Sequence, residues 1–74
     1  MSENIDAEKL ETLIFDFVKN RTMETESTTP RHIHRRFDID MVQAEQILIN
    51  LSEKKLIEKF YDKEYQENRY KLKK

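Results

Sequence analysis

The sequence predicts a mainly α-helical fold in which three helices are followed by a small C-terminal β-hairpin. Apolar residues recur at helical spacing in three separate segments, and near the C-terminus the hydrophobic period changes to two. The 74 residues contain no glycine and a single proline, so compact helices with few forced turns are expected. A chain of this length is expected to form one domain, residues 1–74.

The first helix is predicted over about residues 6–20. Its apolar residues recur at spacings of three and four and would share one face: Leu10, Leu13, Ile14, Phe17 and Val18. Asp6 is a suitable N-cap, and Ile5 before it can pack on Leu10. The polar stretch from residue 21 to residue 28 then interrupts the pattern.

The second helix is predicted over residues 30–37. Thr29 provides its cap, and Pro30 suits the first helical position because its ring presets the backbone angle. Two residues spaced by four would face inward: Ile33 and Phe37. Asp38 follows, and aspartate tolerates the left-handed conformation that a tight turn requires.

The third helix is predicted over about residues 41–54. Asp40 caps it, and Gln43 lies three residues further on, the spacing of a capping box. Its buried stripe comprises Ala44, Ile47, Leu48 and Leu51. The basic residues Lys54 and Lys55 suit the negative end of the helix dipole, so the helix is expected to end there.

Residues 56–73 are predicted to form the hairpin, with a first strand over residues 56–61 and a polar turn over residues 62–68. The second strand alternates strictly, with Tyr70 and Leu72 on one side and basic residues on the other. An isolated hairpin is marginally stable in water. Apolar side chains must therefore anchor it to the helices: Ile57, Tyr70 and Leu72.

Three helices with a short turn between the second and third, followed by a hairpin, is the element order of the winged helix-turn-helix fold. Residues 39–57 resemble the recognition helix and next strand of winged-helix transcription regulators. Their common pattern Leu-Glu-x-Lys-Gly-Leu-Ile corresponds here to LSEKKLI, residues 51–57. Residues 69–72, RYKL, resemble the returning strand of the wing. The resemblance covers about residues 29–72 and implies a DNA-binding domain.

Two residues depart from the pattern of that family. Lys55 stands where the family favours glycine, which adopts a positive φ at little cost. His34 stands where a small residue lets the second and third helices approach closely. We therefore expect backbone strain or a different turn at Lys55, and either looser helix packing or an outward-pointing His34.

Charge is distributed unevenly along the chain, although its net value is only −1. Residues 1–26 carry seven acidic and three basic side chains, whereas residues 27–74 carry eleven basic and eight acidic ones. The acidic N-terminal part and the mildly basic remainder are compatible with one face that meets phosphates.

The candidate DNA contacts lie on three elements. They are Thr29, Arg31 and Arg35 for phosphates at the second helix, Gln43, Gln46 and Asn50 for base edges on the third helix, and Lys63, Arg69 and Lys71 for phosphates in the wing. A helix N-terminus favours anions, and amide side chains pair well with adenine. Tyr61 or Tyr65 near the wing tip could stack on an unpaired base. The alternative is that the basic residues are solvated and that the wing lysines protect an edge strand from aggregation.

The third helix also supports a second hypothesis. It carries no arginine or lysine before Lys54, and Glu45 has the wrong sign for phosphates. Its expected exposed apolar group comprises Met41, Val42 and Ile49, and such groups mark protein interfaces. The domain would then be a protein-interaction or single-strand-binding subunit of a replication or transcription assembly, such as one from a mobile element.

Catalysis, metal binding and a cofactor are not expected. There is no cysteine, no glycine-rich phosphate loop and no pairing of a nucleophile with a base. His32 and His34 are two residues apart, so they would not share a helix face. No apolar run reaches the length of a membrane span, and a cytoplasmic location is expected. The first hypothesis is a small transcriptional regulator that binds duplex DNA. A homodimer is expected, since regulators of this kind usually bind as dimers.

Overall fold

The computed structural model describes residues 7–73, which form three helices followed by a two-stranded antiparallel hairpin. The elements are α1 (Ala7–Met23), α2 (Pro30–Phe37), α3 (Met41–Glu53), β1 (Ile57–Asp62) and β2 (Glu67–Leu72). The predicted mainly helical architecture with a C-terminal hairpin is confirmed. The expected cap Asp6 and its neighbour Ile5 lie outside the described residues. Within residues 7–73, no helix is both long and apolar enough to cross a membrane.

Helix α1 continues to Met23, beyond the predicted end near Asn20. Its last turn is polar, and contacts with the rest of the molecule hold it. The Thr22 hydroxyl donates to the Val18 carbonyl oxygen at 2.9 Å and accepts from the Leu72 backbone N–H at 2.9 Å. Because Leu72 is fifty residues away, hydrophobic periodicity alone does not predict this extension.

The turn between α2 and α3 depends on two aspartates, as predicted. Asp38 adopts the left-handed conformation (φ 57°, ψ 47°), and its N–H donates to the His34 carbonyl oxygen at 3.0 Å. The Asp40 carboxylate accepts from the Val42 N–H at 3.4 Å and caps α3. The Asp40 carboxylate does not accept from the Gln43 N–H, and Gln43 makes no reciprocal hydrogen bond in the described part of the chain, so the predicted capping box does not form. The remaining orphan N–H groups of this exposed helix end can be hydrated.

His34 points outward, one of the two outcomes expected for it. Its side chain is exposed, and its Nδ1 hydrogen-bonds to the carbonyl oxygen of Ile39. An imidazole N–H donated to this carbonyl spans the turn between α2 and α3. The histidine therefore ties the two helices together at their connection rather than separating their packed faces.

The core lies among the three helices and one face of the hairpin. Its buried apolar residues are Leu10, Ile14, Val18, Ile33, Ala44, Ile47, Leu48, Leu51, Ile57 and Tyr70. Leu13, which was expected to face inward, is exposed, and Phe17 is half-buried against Phe37 with ring centroids 5.7 Å apart. The apolar stripe of α1 is thus wider than the surface that its neighbours cover. Leu72 is also only half-buried, because it lies at the open end of the hairpin.

The hairpin is joined to the segment that precedes α2. Its register pairs Ile57 with Leu72 and Asp62 with Glu67. Thr28 extends the sheet on the other edge of β2: its N–H donates to the Tyr70 carbonyl oxygen, and the Tyr70 N–H donates back, both at 2.8 Å. These bonds position the hairpin relative to α2.

Helix α3 ends with lysine in a conformation that suits glycine. Lys55 has φ 64°, as its place in the family pattern leads one to expect. The Lys55 N–H donates to the Ser52 carbonyl oxygen at 3.0 Å, and the Leu56 N–H donates to that of Leu51 at 3.1 Å. This is a Schellman motif, which satisfies the last carbonyl groups of the helix. The left-handed lysine costs about 1 kcal/mol.

Candidate nucleic-acid interface

The exposed face of α3 carries the amide side chains that were predicted to contact bases. Helix α3 packs against α2 and against β1, so these two elements flank it. Gln43 and Gln46 are exposed, and Asn50 is half-buried. The Gln46 Nε2 donates to the Asn50 Oδ1 at 3.1 Å. This bond leaves the Gln46 carbonyl oxygen and the Asn50 amide group free to pair with an external group.

Helix α2 presents arginines beside this face, but they are not equally free. Arg31 is exposed, yet its Nη2 donates to both carboxylate oxygens of Glu67, at 3.0 and 3.2 Å. Arg35 is exposed and has no ion-pair partner among residues 7–73. A surface depression of about 310 Å³ lies between Arg31, His32, His34 and Arg35. Of the two arginines predicted to hold phosphates, Arg35 is the one with a fully available guanidinium.

Thr29, a predicted phosphate contact, is buried and faces the protein interior. Its N–H donates to the His32 Nδ1 at 3.0 Å, and its hydroxyl lies 3.1 Å from the same nitrogen. The pairing of Thr28 with Tyr70 places this segment along the edge of the hairpin. The expectation that Thr29 is exposed was therefore wrong, because a tertiary contact covers the N-terminus of α2.

Arg69, a predicted wing contact, is only 8% exposed. Its Nη1 donates to the Glu67 carboxylate at 2.7 Å, its Nε donates to the Ser27 hydroxyl, and its Cζ lies 4.6 Å from the centroid of the Tyr65 ring. Arg69 was predicted to contact phosphates, which requires an exposed guanidinium. The segment before α2 covers part of the outer side of β2, so Arg69 is instead an internal structural residue.

Glu67 joins two elements that the sequence separates. Its carboxylate accepts from Arg31 on α2 and from Arg69 on its own strand, so one anion lies between two guanidinium groups. Sequence reasoning missed this role. Residue 67 was assigned to the polar turn, whereas β2 begins there, and in a strand a glutamate two residues before an arginine shares its face.

The remaining hairpin cations fall into two groups. The Lys71 ammonium lies 3.7 Å from the Glu58 carboxylate and 5.1 Å from the centroid of the Phe60 ring. Lys59 and Lys63 are exposed and form no ion pair within the described part of the chain. Lys63 was a predicted contact and remains available. Lys59 is a further exposed cation, on the first strand.

The apolar group expected on α3 is smaller than predicted. Val42 is 72% exposed and Met41 39% exposed, but Ile49 is half-buried. Residues three and four positions away are neighbours on a helix surface, and long polar side chains cover apolar surface. For Ile49, those neighbours include Glu45 and Glu53. The expectation that Ile49 is exposed was wrong.

His32 occupies a position surrounded by positive charge. Burial lowers the pKa of His32 below its ordinary value of 6.5, and the neighbouring guanidinium groups of Arg21, Arg69 and Arg31 lower it further, while Glu67 opposes them. Its Nδ1 accepts the Thr29 N–H, which requires a neutral ring at that nitrogen. His32 and His34 hydrogen-bond to different parts of the backbone. No group of three potential metal ligands occurs among residues 7–73.

This arrangement predicts a pH-dependent stability. As pH falls below 6.5, the unfolded chain binds a proton at His32 while the folded chain resists it. The free energy of unfolding should therefore decrease, and the loss should level off below the lowered pKa of the folded state. Urea unfolding between about pH 5.5 and 7.5 would measure this slope, since the histidine of the unfolded chain has its ordinary pKa of 6.5.

A His32→Gln variant should have a flatter profile, because glutamine at the third helical position can still accept the Thr29 N–H in a capping box. A His34→Gln variant is the matched control for removal of an imidazole. It should keep the pH dependence of stability that His32 contributes. A profile that His32→Gln leaves unchanged would contradict the assignment.

The side chains that remain available to an external group are the amides of α3, Arg35 of α2, and Lys59 and Lys63 of the hairpin. Thr29 and Arg69 are instead parts of the scaffold, and Arg31 and Lys71 are engaged in ion pairs. No protein-family model, curated protein sequence or solved structure matches this chain.

Proposed function

We propose that the protein is a winged helix-turn-helix DNA-binding domain that acts as a small transcriptional regulator in the cytoplasm. In this proposal, α3 enters the major groove, α2 lies along the backbone and the hairpin is the wing. One observation carries it: α3 exposes hydrogen-bonding amides between elements that carry unpaired cations. We assign it no catalytic activity and no cofactor.

The amides of α3 would provide sequence recognition. Glutamine and asparagine can donate to and accept from adenine in the major groove at the same time. Gln46 and Asn50 hold each other through their 3.1 Å hydrogen bond, which limits the side-chain entropy that DNA binding would cost. Gln43, one turn earlier on the exposed face, is free to contact a further base pair.

The unpaired cations would provide most of the affinity. Phosphate contacts release counterions, so each one adds about 0.9 to the slope of log K against log salt concentration. Arg35, Lys59 and Lys63 together would give a slope of about −3 for one protomer. Such binding is weak for a regulator. We therefore propose that the protein binds DNA as a homodimer, which doubles the number of phosphate contacts.

A double substitution tests this assignment. Arg35→Ala with Lys63→Ala should reduce the magnitude of the salt slope by about two for each protomer, because two phosphate contacts are lost. The measurement is fluorescence anisotropy of a labelled mixed-sequence duplex, titrated at several salt concentrations. Lys9→Ala with Lys19→Ala is the matched control. It removes the same charge from exposed positions of α1, far from the proposed interface in sequence, and should leave the slope unchanged.

A second candidate function follows from the composition of α3. In the described residues this helix carries no cation, and it exposes Met41 and Val42 beside Glu45. These features favour a protein partner, as in a subunit of a replication or transcription assembly. Absence of salt-sensitive binding to any DNA, or equal salt slopes for the two double variants, would count against the DNA interface and favour this candidate.

A further inference from the structure

The tip of the hairpin holds an exposed aromatic ring in a defined position. Tyr65 is 60% exposed. The carboxylate of Asp62 accepts from the backbone N–H groups of Glu64 at 2.9 Å and of Tyr65 at 3.3 Å, which fixes the turn. Gln66 then adopts φ 54° and leads the chain into β2. The backbone that carries the ring is therefore held by its own turn.

The ring itself is supported from inside the molecule. The Arg69 guanidinium carbon lies 4.6 Å from the centroid of the Tyr65 ring. Arg69 is held in turn by Glu67 and Ser27 and is almost completely buried. One side of the ring thus contacts a fixed cation, and its large exposed area belongs to the remainder of the ring. A planar group that stacks there meets a preorganised surface, so little side-chain entropy is lost on binding.

One exposed cation lies close to the ring in the turn. Lys63, two residues before Tyr65, is exposed and has no ion-pair partner among the described residues. One oxygen of the Asp62 carboxylate accepts from two backbone N–H groups, and Glu67 lies between Arg31 and Arg69. Glu64 is the acidic side chain at the tip that these contacts leave free. An exposed aromatic ring beside an unpaired cation is a combination that binds single-stranded nucleic acid.

We infer that the hairpin tip is a binding site for single-stranded DNA, in which an unpaired base stacks on Tyr65 while Lys63 contacts an adjacent phosphate. The inference deepens the proposed DNA-binding function and rests on it. In a continuous duplex, each base is already stacked on its neighbours and cannot cover the ring. The target would therefore include unpaired bases, such as those at an opened or unfinished stretch of duplex.

The test compares the wild-type chain with Tyr65 variants in their binding to oligothymidylate of about ten nucleotides. This length is within the usual range for one small domain. One central position carries 2-aminopurine, whose fluorescence falls when it stacks on an aromatic ring. Tyr65→Leu should weaken binding about tenfold and abolish the change in fluorescence, because stacking of one base is lost. Tyr65→Phe keeps the ring and should behave like the wild type.

Tyr61→Leu is the matched control. Tyr61 is 59% exposed, but no guanidinium group packs against its ring in the described residues, so its removal should weaken binding less than that of Tyr65. Equal losses for the two leucine variants, or wild-type affinity for Tyr65→Leu, would overturn the site. Circular dichroism of each variant verifies that the fold is retained.

Duplex DNA titrated in parallel separates this inference from the proposed function. Tyr65-dependent binding of single strands without duplex binding would refute the duplex-reading regulator and support the tip site. Salt-sensitive duplex binding with no affinity for oligothymidylate would support the regulator and overturn the tip site. Tyr65→Leu should leave duplex affinity within about twofold of the wild type, since the inferred stacking contact requires an unpaired base.

Discussion

Replacing Glu67 with glutamine is expected to lower the free energy of unfolding by about 2 kcal/mol, because a buried guanidinium loses its counter-charge. The carboxylate lies 2.7 Å from Arg69 and 3.0 Å from Arg31. Breaking a fully buried ion pair costs more, about 3 to 5 kcal/mol. The cost is smaller here because Arg31 is exposed and because Arg69 keeps its contacts with Ser27 and Tyr65.

Glu58→Gln is the control for this change. Glu58 also pairs with a cation on the opposite strand, Lys71, but the distance is 3.7 Å and both side chains are nearly half-exposed. Such surface pairs contribute about 0.5 kcal/mol. Urea unfolding followed by circular dichroism measures both variants. Similar losses for Glu67→Gln and Glu58→Gln would show that the bridge between α2 and the hairpin does not stabilise the fold.

A second substitution tests whether the charge itself is responsible. In the Glu67→Gln background, Arg69→Met removes the uncompensated guanidinium and keeps an unbranched apolar side chain at a buried position. Apolar replacement of a buried ion pair is often neutral or stabilising. The double variant should therefore recover at least half of the lost stability. If it were less stable than Glu67→Gln alone, packing of the Arg69 side chain would be the larger contribution.

Ile33→Ala is expected to be the most destabilising of the substitutions considered, at about 3 kcal/mol. Ile33 is fully buried and is the residue that buries α2 in the core. Its truncation leaves a cavity that the short helix can fill only in part. Because α2 carries Arg35, the Ile33→Ala variant should also bind DNA more weakly than the wild type, even at temperatures well below its unfolding midpoint.

Ile49→Ala removes the same atoms from a half-buried position on α3 and should cost about 1 kcal/mol, in proportion to the smaller burial. Thermal unfolding compares the two variants. In a domain of this size, 1 kcal/mol corresponds to about 4 to 8 °C, so Ile33→Ala should lower the midpoint by more than about 10 °C. A larger effect of Ile49→Ala would contradict the assignment of the core and would indicate that Ile49 packs against another copy of the chain.

Local features of the sequence predicted the short elements well. Thr29 and Pro30 set the start of α2, and Asp38 and Asp40 set the turn into α3, because caps and left-handed turns depend on residues close in sequence. The period of apolar residues predicted the stripe of α3 from Ala44 to Leu51. The length of α1 was underestimated, since Thr22 is held by a backbone group of β2 rather than by its neighbours.

The sequence by itself thus determined the order of the elements, the cap residues of α2 and α3, and the amide-bearing face of α3. Tertiary structure decided which polar side chains remain free for a ligand. Arg31 meets Glu67 across 36 residues, and Arg69 meets Ser27 across 42. A charge is available to a partner only if no neighbour in space neutralises or buries it. Spacing along the chain does not reveal such neighbours, because ion pairs and burial depend on distances that only the packed fold creates.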